Sequence, residues 1–532
     1  MIDPEPTPSS SQAVSSQSAP SAAPVRKSAT RNIVTVMSGT LASRFLGLLR
    51  QTLLNRFFDT RVTDAYNVAF QIPNLFRELL AEGALSNSII PVYKNLAPDQ
   101  RRAFIGSFMA LLILVNAIVV ALGMIFAPEI VGLMQSLGQS LGANASSLDA
   151  ELTVYLTRLC MPFLAGISFS ALAMGLLNAE ERFGATAFAP LAFNVVTITG
   201  FLLFPNQALW LGVFTSLGGL AQLLVQLPSL RKHGLLPAPR LAWHPGLTRA
   251  LALIAPFAFT TSTRQFLAFI LTGLLAGFGE GTLTGFRNAE VVFLLVQGLF
   301  AVSPATAAYP RLSEHAAQKN WVAFTETVSS YARLVLFLSV GVAGLLWALA
   351  PSVTSAIFEL AGRIADNKYN PTLALLPSFA LAVAPWGLWQ LLNRAFYARE
   401  RTRDAVIISA IAFATNTLLY IVLAPYGFVT MNYATAITGW VLVGVVVGVL
   451  HKQIGLNYKK LLGHTIKVVV AATLAGFAAY YLSSLLPMGR GALNGLLHLS
   501  IAGGIGAALY LALCMAFQVQ EVSNITKRFL KR

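Results

Sequence analysis

Four arginines lie inside stretches that are otherwise apolar enough to cross a membrane: Arg44, Arg50, Arg77 and Arg264. An arginine near the centre of a bilayer costs about 2.5–3.5 kcal/mol on insertion scales. The set therefore indicates side chains that face a protein-lined, water-filled cavity. Because guanidinium groups form paired hydrogen bonds with phosphate and carboxylate oxygens, such a cavity suits an anionic molecule. For any single arginine, the alternative is a local acidic partner or an interfacial position.

The neighbours of these arginines differ in chemistry. Arg264 follows four hydroxyl residues and has no acid within a helical turn, which favours an anion site. Arg77 has Glu78 and Glu82 nearby, so it is the arginine most open to a local ion pair. Arg287 should pair with the glutamate three residues further on.

The first two arginines are six residues apart, which places them about 120° apart around a helix. They can border one wide cavity, and Gly47 between them would allow close helix approach or a bend. In the next apolar segment, Asp64 lies at one end, and Pro73 and Asn74 lie in the middle of the apolar sequence.

Composition places the chain among polytopic membrane proteins. Of its 532 residues, 56% are hydrophobic and 11% charged, with a mean hydropathy of +0.67, whereas soluble domains carry about 25% charged residues. The apolar blocks are about 20–25 residues long, as membrane-spanning helices require. Cys160 and Cys514 lie in apolar runs and indicate neither a disulfide framework nor a metal cluster.

These blocks predict an all-α polytopic membrane protein with 14 transmembrane helices. The expected spans are roughly 33–58, 65–93, 103–136, 151–178, 185–204, 208–231, 247–278, 282–311, 321–349, 371–398, 404–424, 431–451, 462–486 and 493–517. Several contain proline, so kinked or broken helices are expected.

The loops separate by charge. Roughly 23 lysines and arginines fall in one alternating set and about five in the other, the asymmetry typical of cytoplasmic against external loops. Both termini should therefore be cytoplasmic. The net charge of +16 is then a sign of topology and not of nucleic-acid binding.

The chain also repeats itself at an offset of about 219 residues. Pro91, taken to close span 2, aligns with Pro310, taken to close span 8. At the same offset, Arg182 after span 4 aligns with Arg401 after span 10. The repeat predicts two parallel six-helix lobes with a cavity between them, plus two extra C-terminal helices.

The expected organisation follows from the spans and the repeat. It comprises a disordered cytoplasmic tail (1–32), an N-terminal lobe (33–232), a cytoplasmic linker (233–246), a C-terminal lobe (247–453), spans 13–14 (454–517) and a basic cytoplasmic tail (518–532). The first tail is rich in Ser, Pro and Ala and does not resemble a signal peptide.

Catalytic signatures are missing from the sequence. The six histidines are scattered without metal-ligand spacing, and no phosphate-binding loop is present. The sequence thus predicts a transporter and not an enzyme, with no metal and no bound cofactor. A membrane potential or a Na⁺ or H⁺ gradient would then drive it, and Asn416 is a polar candidate for ion coupling.

One region carries a dense set of family motifs. It contains Ser43-Arg44-x-x-Gly47-x-x-Arg50, then Thr63-Asp64-Ala65, Ala69-Phe70-x-Ile72-Pro73-Asn74-x-x-Arg77 and Glu82-Gly83-Ala84-x-Ser86 through Pro91. This pattern resembles the MurJ (MviN) lipid II flippase family, within the multidrug/oligosaccharidyl-lipid/polysaccharide exporter superfamily.

The resemblance implies a flippase of the bacterial inner membrane that moves an undecaprenyl-pyrophosphate-linked peptidoglycan precursor to the outer leaflet by alternating access. It implies substrate binding by Arg44, Arg50, Arg77 and Arg264, and structural or gating roles for Asp64, Glu82, Gly47, Pro73 and Asn74. It also implies that spans 13–14 form a groove for the lipid tail. The partners would be lipid II and membrane lipids, with the protein acting as a monomer and cell-wall synthesis proteins as further candidates.

One residue departs from the family pattern. The family usually has aspartate directly after the second arginine of span 1, where this chain has Gln51. Arg50 thus lacks that acidic partner. Three alternatives stay open: a polysaccharide-lipid flippase, a multidrug exporter, or a scaffold for cell-wall synthesis proteins. Drug exporters mostly take cations and would place acids in the cavity.

Overall fold

The computed structural model describes residues 27–80, 86–140, 148–236, 238–359, 370–486 and 491–522. It does not describe the side chains of residues 27–37, 40–41, 78–80, 86–87, 255–264, 266 and 402 within these helices. The described residues are mostly α-helical, with short π-helical and 3₁₀-helical segments and connecting loops, and the α-helices are numbered here in chain order.

The first half of the chain contains α1 (Lys27–Phe57), α2 (Thr60–Leu80), α3 (Ser86–Asn95), α4 (Pro98–Ile125), α5 (Ala127–Ser140), α6 (Ala150–Cys160), α7 (Phe163–Ala179), α8 (Phe183–Leu203) and α9 (Ala208–Lys232). The second half contains α10 (Pro245–Ala276), α11 (Thr282–Gln297), α12 (Ser303–Ala317), α13 (Trp321–Ala348), α14 (Ala350–Phe358), α15 (Asn370–Ala398), α16 (Thr402–Leu423) and α17 (Phe428–Ile454). The final helices are α18 (Tyr458–Leu485), α19 (Ala492–His498) and α20 (Gly504–Ala516).

Eleven helices or joined helix pairs in the described residues are long and apolar enough to cross a membrane. The three other expected spans coincide with α1, α2–α3 and α10. The first two of these carry several charges each, and α10 is described only in part. The chain is therefore an all-helical, multi-pass membrane protein.

Two expected spans are broken. Span 3 was expected to run to residue 136, but α4 ends at Ile125 and a separate helix, α5, follows Phe126. Span 4 is divided into α6 and α7 at Met161 and Pro162, because proline cannot donate the helical hydrogen bond and its ring clashes with the preceding turn.

Local sequence sets several helix ends. The Asp149 side chain accepts from Leu152 N at 3.1 Å and so caps α6. Asn320 caps α13 and Asn457 caps α18 in the same way. Each cap satisfies one of the amide donors that the first turn of a helix leaves unpaired.

Two helix C-termini share a left-handed turn 219 residues apart. Glu181 and Glu400 have φ angles of 57° and 59°. Arg182 N donates to Leu177 O at 2.8 Å, and Arg401 N donates to Phe396 O at 3.0 Å. Both turns have the hydrogen-bond pattern of a Schellman-type helix end.

Three local expectations were wrong. Pro91 and Pro310 lie inside α3 and α12 and do not close them. Gly47 allows no close helix contact, because nothing lies within 4 Å of the position that a Cβ would occupy there. Helix α1 is also unbroken at Gly47.

The folded part of the chain extends into both segments that were predicted to be tails. Helix α1 begins at Lys27, inside the predicted disordered segment 1–32. At the other end, Val519, Glu521 and Val522 are buried. Glu521 accepts from Arg333 Nε on α13 at 3.1 Å, so this segment is paired with α13.

Buried hydrophobic residues join the two halves of the chain. We call the end that carries the basic loops the basic end, and the end where α2 and α11 begin the far end. One core cluster combines Leu54 and Tyr66 of the first half with Leu283 and Phe379 of the second, towards the far end. Two further clusters lie largely within the second half and the first half respectively. The halves are therefore packed together most tightly at the far end.

Candidate anion cavity and far-end contacts

A cavity of about 440 Å³ lies within the first half of the chain. Helices α1, α2, α7, α8 and α9 each contribute to its wall. It contains both Arg50 and Arg77, so the structure brings together two of the four predicted anion-binding arginines. No carboxylate of the described residues lines it.

Arg50 is held at the cavity by an aromatic ring. Its guanidinium carbon lies 5.3 Å from the centre of the Phe193 ring on α8. Its Nε is buried and has no hydrogen-bond acceptor among the described residues. Cation–π contact stabilises the charge without neutralising it, so the cavity has a positive charge at Arg50.

Arg77 is oriented by an amide on its own helix. Its Nε donates to Asn74 Oδ1 at 2.8 Å, one turn earlier on α2. Asn74 thus positions the guanidinium, and Pro73 precedes it inside the helix. The acidic partners expected for Arg77, Glu78 and Glu82, have side chains outside the described residues.

Further polar residues of the cavity wall are uncharged. Gln226 Nε2 on α9 donates to Ser170 Oγ on α7 at 2.7 Å. Asn194 Nδ2 on α8 donates to Ser43 O on α1 at 3.3 Å. These amides connect neighbouring helices around the cavity. They were not predicted from the sequence, because isolated amides in apolar helices give no spacing signal.

Arg44 lies away from this cavity. Its Nη1 is 3.4 Å from Leu294 O on α11, where the first half meets the second. The guanidinium occupies the space beside Gly298, which begins a π-helical segment ending at Val302. A Cβ at that glycine would lie 1.8 Å from Arg44 Nη1. Arg264 lies in α10, with its side chain outside the described residues.

The ion pair expected between Arg287 and Glu290 is confirmed, with 2.8 Å between Nη1 and Oε2. Arg287 Nη2 also donates to Gln71 Oε1 on α2 at 2.9 Å and to Thr272 Oγ1 on α10 at 3.1 Å. Arg287 therefore bridges the two halves, a role that its local sequence does not reveal.

Asp64 makes the most concentrated contact between the halves. Its carboxylate accepts from Gly281 N at 2.6 Å and from Thr284 N at 2.8 Å. It also accepts from Thr284 Oγ1 at 2.6 Å. Asp64 on α2 thus caps the N-terminus of α11, where a negative charge is favoured. Thr60 donates to Glu280 beside it.

Gln51 takes part in a second polar contact near the far end. Its Nε2 donates to Asn288 Oδ1 on α11 at 2.9 Å, and Asn55 Nδ2 donates to the same oxygen at 2.7 Å. Asn288 Nδ2 in turn donates to Thr372 Oγ1 on α15 at 3.2 Å. The residue that departs from the family pattern therefore joins a buried network of neutral groups.

Asn416 lies on α16, one turn before Tyr420, whose hydroxyl bonds to Thr435 on α17. Its Oδ1 is buried and has no hydrogen-bond partner among the described residues. No group of three or more His, Cys, Asp or Glu side chains that could hold a metal ion occurs in the described part of the chain.

A family model described as "Lipid II flippase MurJ" matches residues 54–497. The chain belongs to the lipid II flippase MurJ family. This confirms the family predicted from the motifs around Arg44 and Arg77.

Relatives of the MurJ family cover most of the chain. Lipid II flippase MurJ of Burkholderia cenocepacia is 29% identical over 443 residues, which cover 80% of this chain and 83% of that protein. Probable lipid II flippase MurJ of Bdellovibrio bacteriovorus is 27% identical over 519 residues, covering 94% and 97%.

Solved structures share the fold. "Lipid II flippase MurJ, inward closed conformation" matches with a TM-score of 0.75 at 21% identity, covering 94% of this chain and all of that one. An inward-facing multidrug resistance MATE family transporter of the MOP superfamily matches with a TM-score of 0.60 at 14% identity, covering 80% and 98%. Both solved structures therefore share the fold of this chain.

Proposed function

We propose that this protein translocates lipid II, the undecaprenyl-pyrophosphate-linked precursor of peptidoglycan, across the bacterial cytoplasmic membrane. The observation that carries the proposal is the cavity containing Arg50 and Arg77, lined by no carboxylate of the described residues. Guanidinium groups match pyrophosphate oxygens. A cavity for cationic drugs would need the opposite charge.

The basic end faces the cytoplasm, because lysine and arginine are retained on that side of the membrane. Both termini then lie in the cytoplasm, and the head group travels from the inner to the outer leaflet. The tight packing of the two halves at the far end, around Asp64 and Leu283, supports a state closed towards the outside.

Alternating access follows from two parallel lobes that rock about the bound head group. The matched left-handed turns at Glu181 and Glu400 support a 14-helix plan with two six-helix lobes and an extra pair, α18 with α19–α20. Opening the far end requires the contacts of Asp64 and Asn288 to break. Arg44 and Arg264 would bind the anion in other states of the cycle.

The lipid tail would remain outside the lobes. An apolar hollow of about 290 Å³ lies between α13, α15, α17 and α18, with Trp347, Trp440 and Phe477 in its wall. This hollow borders the extra helix pair and supports its assignment to the polyprenyl chain. The protein would work as a monomer.

The energy source in this proposal is the membrane potential or a Na⁺ or H⁺ gradient, with no cofactor. Asn416 is the polar group in the C-terminal lobe proposed for ion coupling. A test is to measure flipping in proteoliposomes with each gradient imposed alone. Equal rates without any gradient would contradict this part of the proposal.

The first experiment is rescue of a strain depleted of its own lipid II flippase, at matched protein levels. The wild type should rescue growth and Arg50→Ala should not, because the pyrophosphate of lipid II loses a guanidinium partner in this variant. Arg158→Ala is the matched control. This arginine is exposed on α6, and its Nε contacts the backbone oxygen of Met124.

The outcomes separate the alternatives. If the wild type inserts correctly but fails to rescue, a related polysaccharide-lipid flippase becomes the better assignment. If Arg50→Ala rescues fully, the cavity is not the transport path and a scaffold role is favoured.

A further inference from the structure

We propose that the cavity of the first half holds the glycan of the substrate, with the pyrophosphate beside Arg50 and Arg77 at its margin. This inference rests on the proposed function and specifies which part of lipid II the cavity recognises. Three features of this cavity support the inference: an apolar aromatic wall, a wall of neutral amides and two cationic side chains.

Three phenylalanines form the aromatic wall. The ring centres of Phe70 and Phe163 lie 5.2 Å apart, and those of Phe163 and Phe193 lie 5.5 Å apart. Phe70 and Phe193 are nearly parallel, at 13°. A pyranose ring has apolar C–H faces that pack on aromatic rings, while its edge carries hydroxyl groups that need hydrogen bonds.

Amides supply those hydrogen bonds on the α9 side. Gln222 lines the cavity and is 8% exposed. One turn further on, Gln226 is fully buried, and its Oε1 has no donor among the described residues. Buried polar groups are almost always paired, so Gln226 Oε1 is available to a donor group of a ligand, and the Gln222 amide beside it can both donate and accept.

The charge distribution distinguishes the glycan from the peptide. The pyrophosphate already uses the two arginines that line the cavity, and the peptide of lipid II adds carboxylates that would need further cations. The remaining wall carries only neutral groups among the described residues, such as Ser170 and Asn194. Neutral sugars with acetamido groups match this wall. A volume of about 440 Å³ lies within the range of small-molecule sites and can hold a sugar ring.

The test compares the binding of two ligands to purified protein in nanodiscs. Lipid II carries the glycan and the peptide, whereas undecaprenyl pyrophosphate carries neither the glycan nor the peptide. The wild type should bind lipid II more tightly. In Gln222→Leu, lipid II affinity should fall about tenfold and undecaprenyl pyrophosphate affinity should stay within twofold, because only the amide contacts to the sugar are lost.

Two variants serve as controls. Arg50→Gln should weaken the binding of both ligands, since both contain the pyrophosphate. Asn116→Leu removes a buried amide of α4 that lies outside the cavity and, among the described residues, donates to Leu112 O on its own helix. It should leave both affinities unchanged.

A third ligand separates the sugars from the peptide: the undecaprenyl-pyrophosphate disaccharide with its lactyl carboxyl capped as a simple amide in place of the peptide. It should retain the affinity advantage over undecaprenyl pyrophosphate in the wild type and lose it in Gln222→Leu. Equal wild-type affinity for this ligand and undecaprenyl pyrophosphate would overturn the inference without needing any variant. So would an unchanged preference in folded Gln222→Leu. If the wild type binds none of the ligands, the proposed function itself fails.

Discussion

The carboxylate of Asp64 should decide how firmly the far end is closed. It accepts hydrogen bonds from Gly281 N and from both the amide and the hydroxyl of Thr284. In Asp64→Ala, two backbone amides at the start of α11 lose their acceptor while the far end is closed. Once this end opens, water can reach them, so the penalty falls mainly on the closed state.

The size of the effect follows from the number of amides. Each buried donor left without an acceptor costs about 1–3 kcal/mol, so two cost roughly 2–6 kcal/mol. Since about 1.4 kcal/mol corresponds to a factor of ten, the ratio of closed to open molecules should fall by roughly 30-fold to 10⁴-fold. Asp64→Asn should give a smaller change, because its amide oxygen still accepts.

Pulsed electron paramagnetic resonance can measure this shift. Spin labels at Asp59 and Tyr426, both exposed and one in each half, report the opening of the far end. Asp64→Ala should move the distance distribution to longer values. Asp149→Ala is the matched control, since this carboxylate pairs with Arg61 inside the first half only. An unchanged distribution in folded Asp64→Ala would refute the reasoning.

Three further substitutions and one control test other parts of the structure. Gly298→Ala should displace the Arg44 guanidinium, whose Nη1 lies 1.8 Å from the new Cβ position, and should lower flipping. Gly504→Ala, with nothing within 4 Å, should have no effect in the same flipping assay. Glu521→Ala leaves the half-buried Arg333 without its acidic partner and should cost about 3–5 kcal/mol, seen as a lower unfolding temperature in nanodiscs. Asp149→Ala removes the α6 cap and should cost about 1 kcal/mol in the same thermal assay. The Leu152 amide and the Arg61 guanidinium hold the pKa of Asp149 below its usual 3.8. The stabilisation by Asp149 should therefore be complete above about pH 4 and disappear as the pH falls through the lowered pKa; a constant difference between wild type and variant down to pH 2 would contradict this.

The sequence determined the class of structure because membrane insertion depends on local composition. Long apolar helices and the Arg287–Glu290 pair were predicted, since each depends on residues close together in the chain. Of the expected proline breaks, the one at Pro162 is present, whereas Pro73 and Pro190 lie inside unbroken helices. The family followed from dense motifs around Arg44 and Arg77. The break after Ile125 was missed, because an apolar run can continue through a helix end.

Only the tertiary structure decided which polar groups meet. It places Arg50 and Arg77 at one cavity and Arg44 at the contact with Gly298, a separation that helix periodicity could not give. Asn288 approaches Gln51 across 237 positions of the chain, and Gln222 faces a cavity made by five helices. Such positions depend on how helices pack, and a lone amide in an apolar helix has the same local sequence whether it faces a ligand or a neighbouring helix.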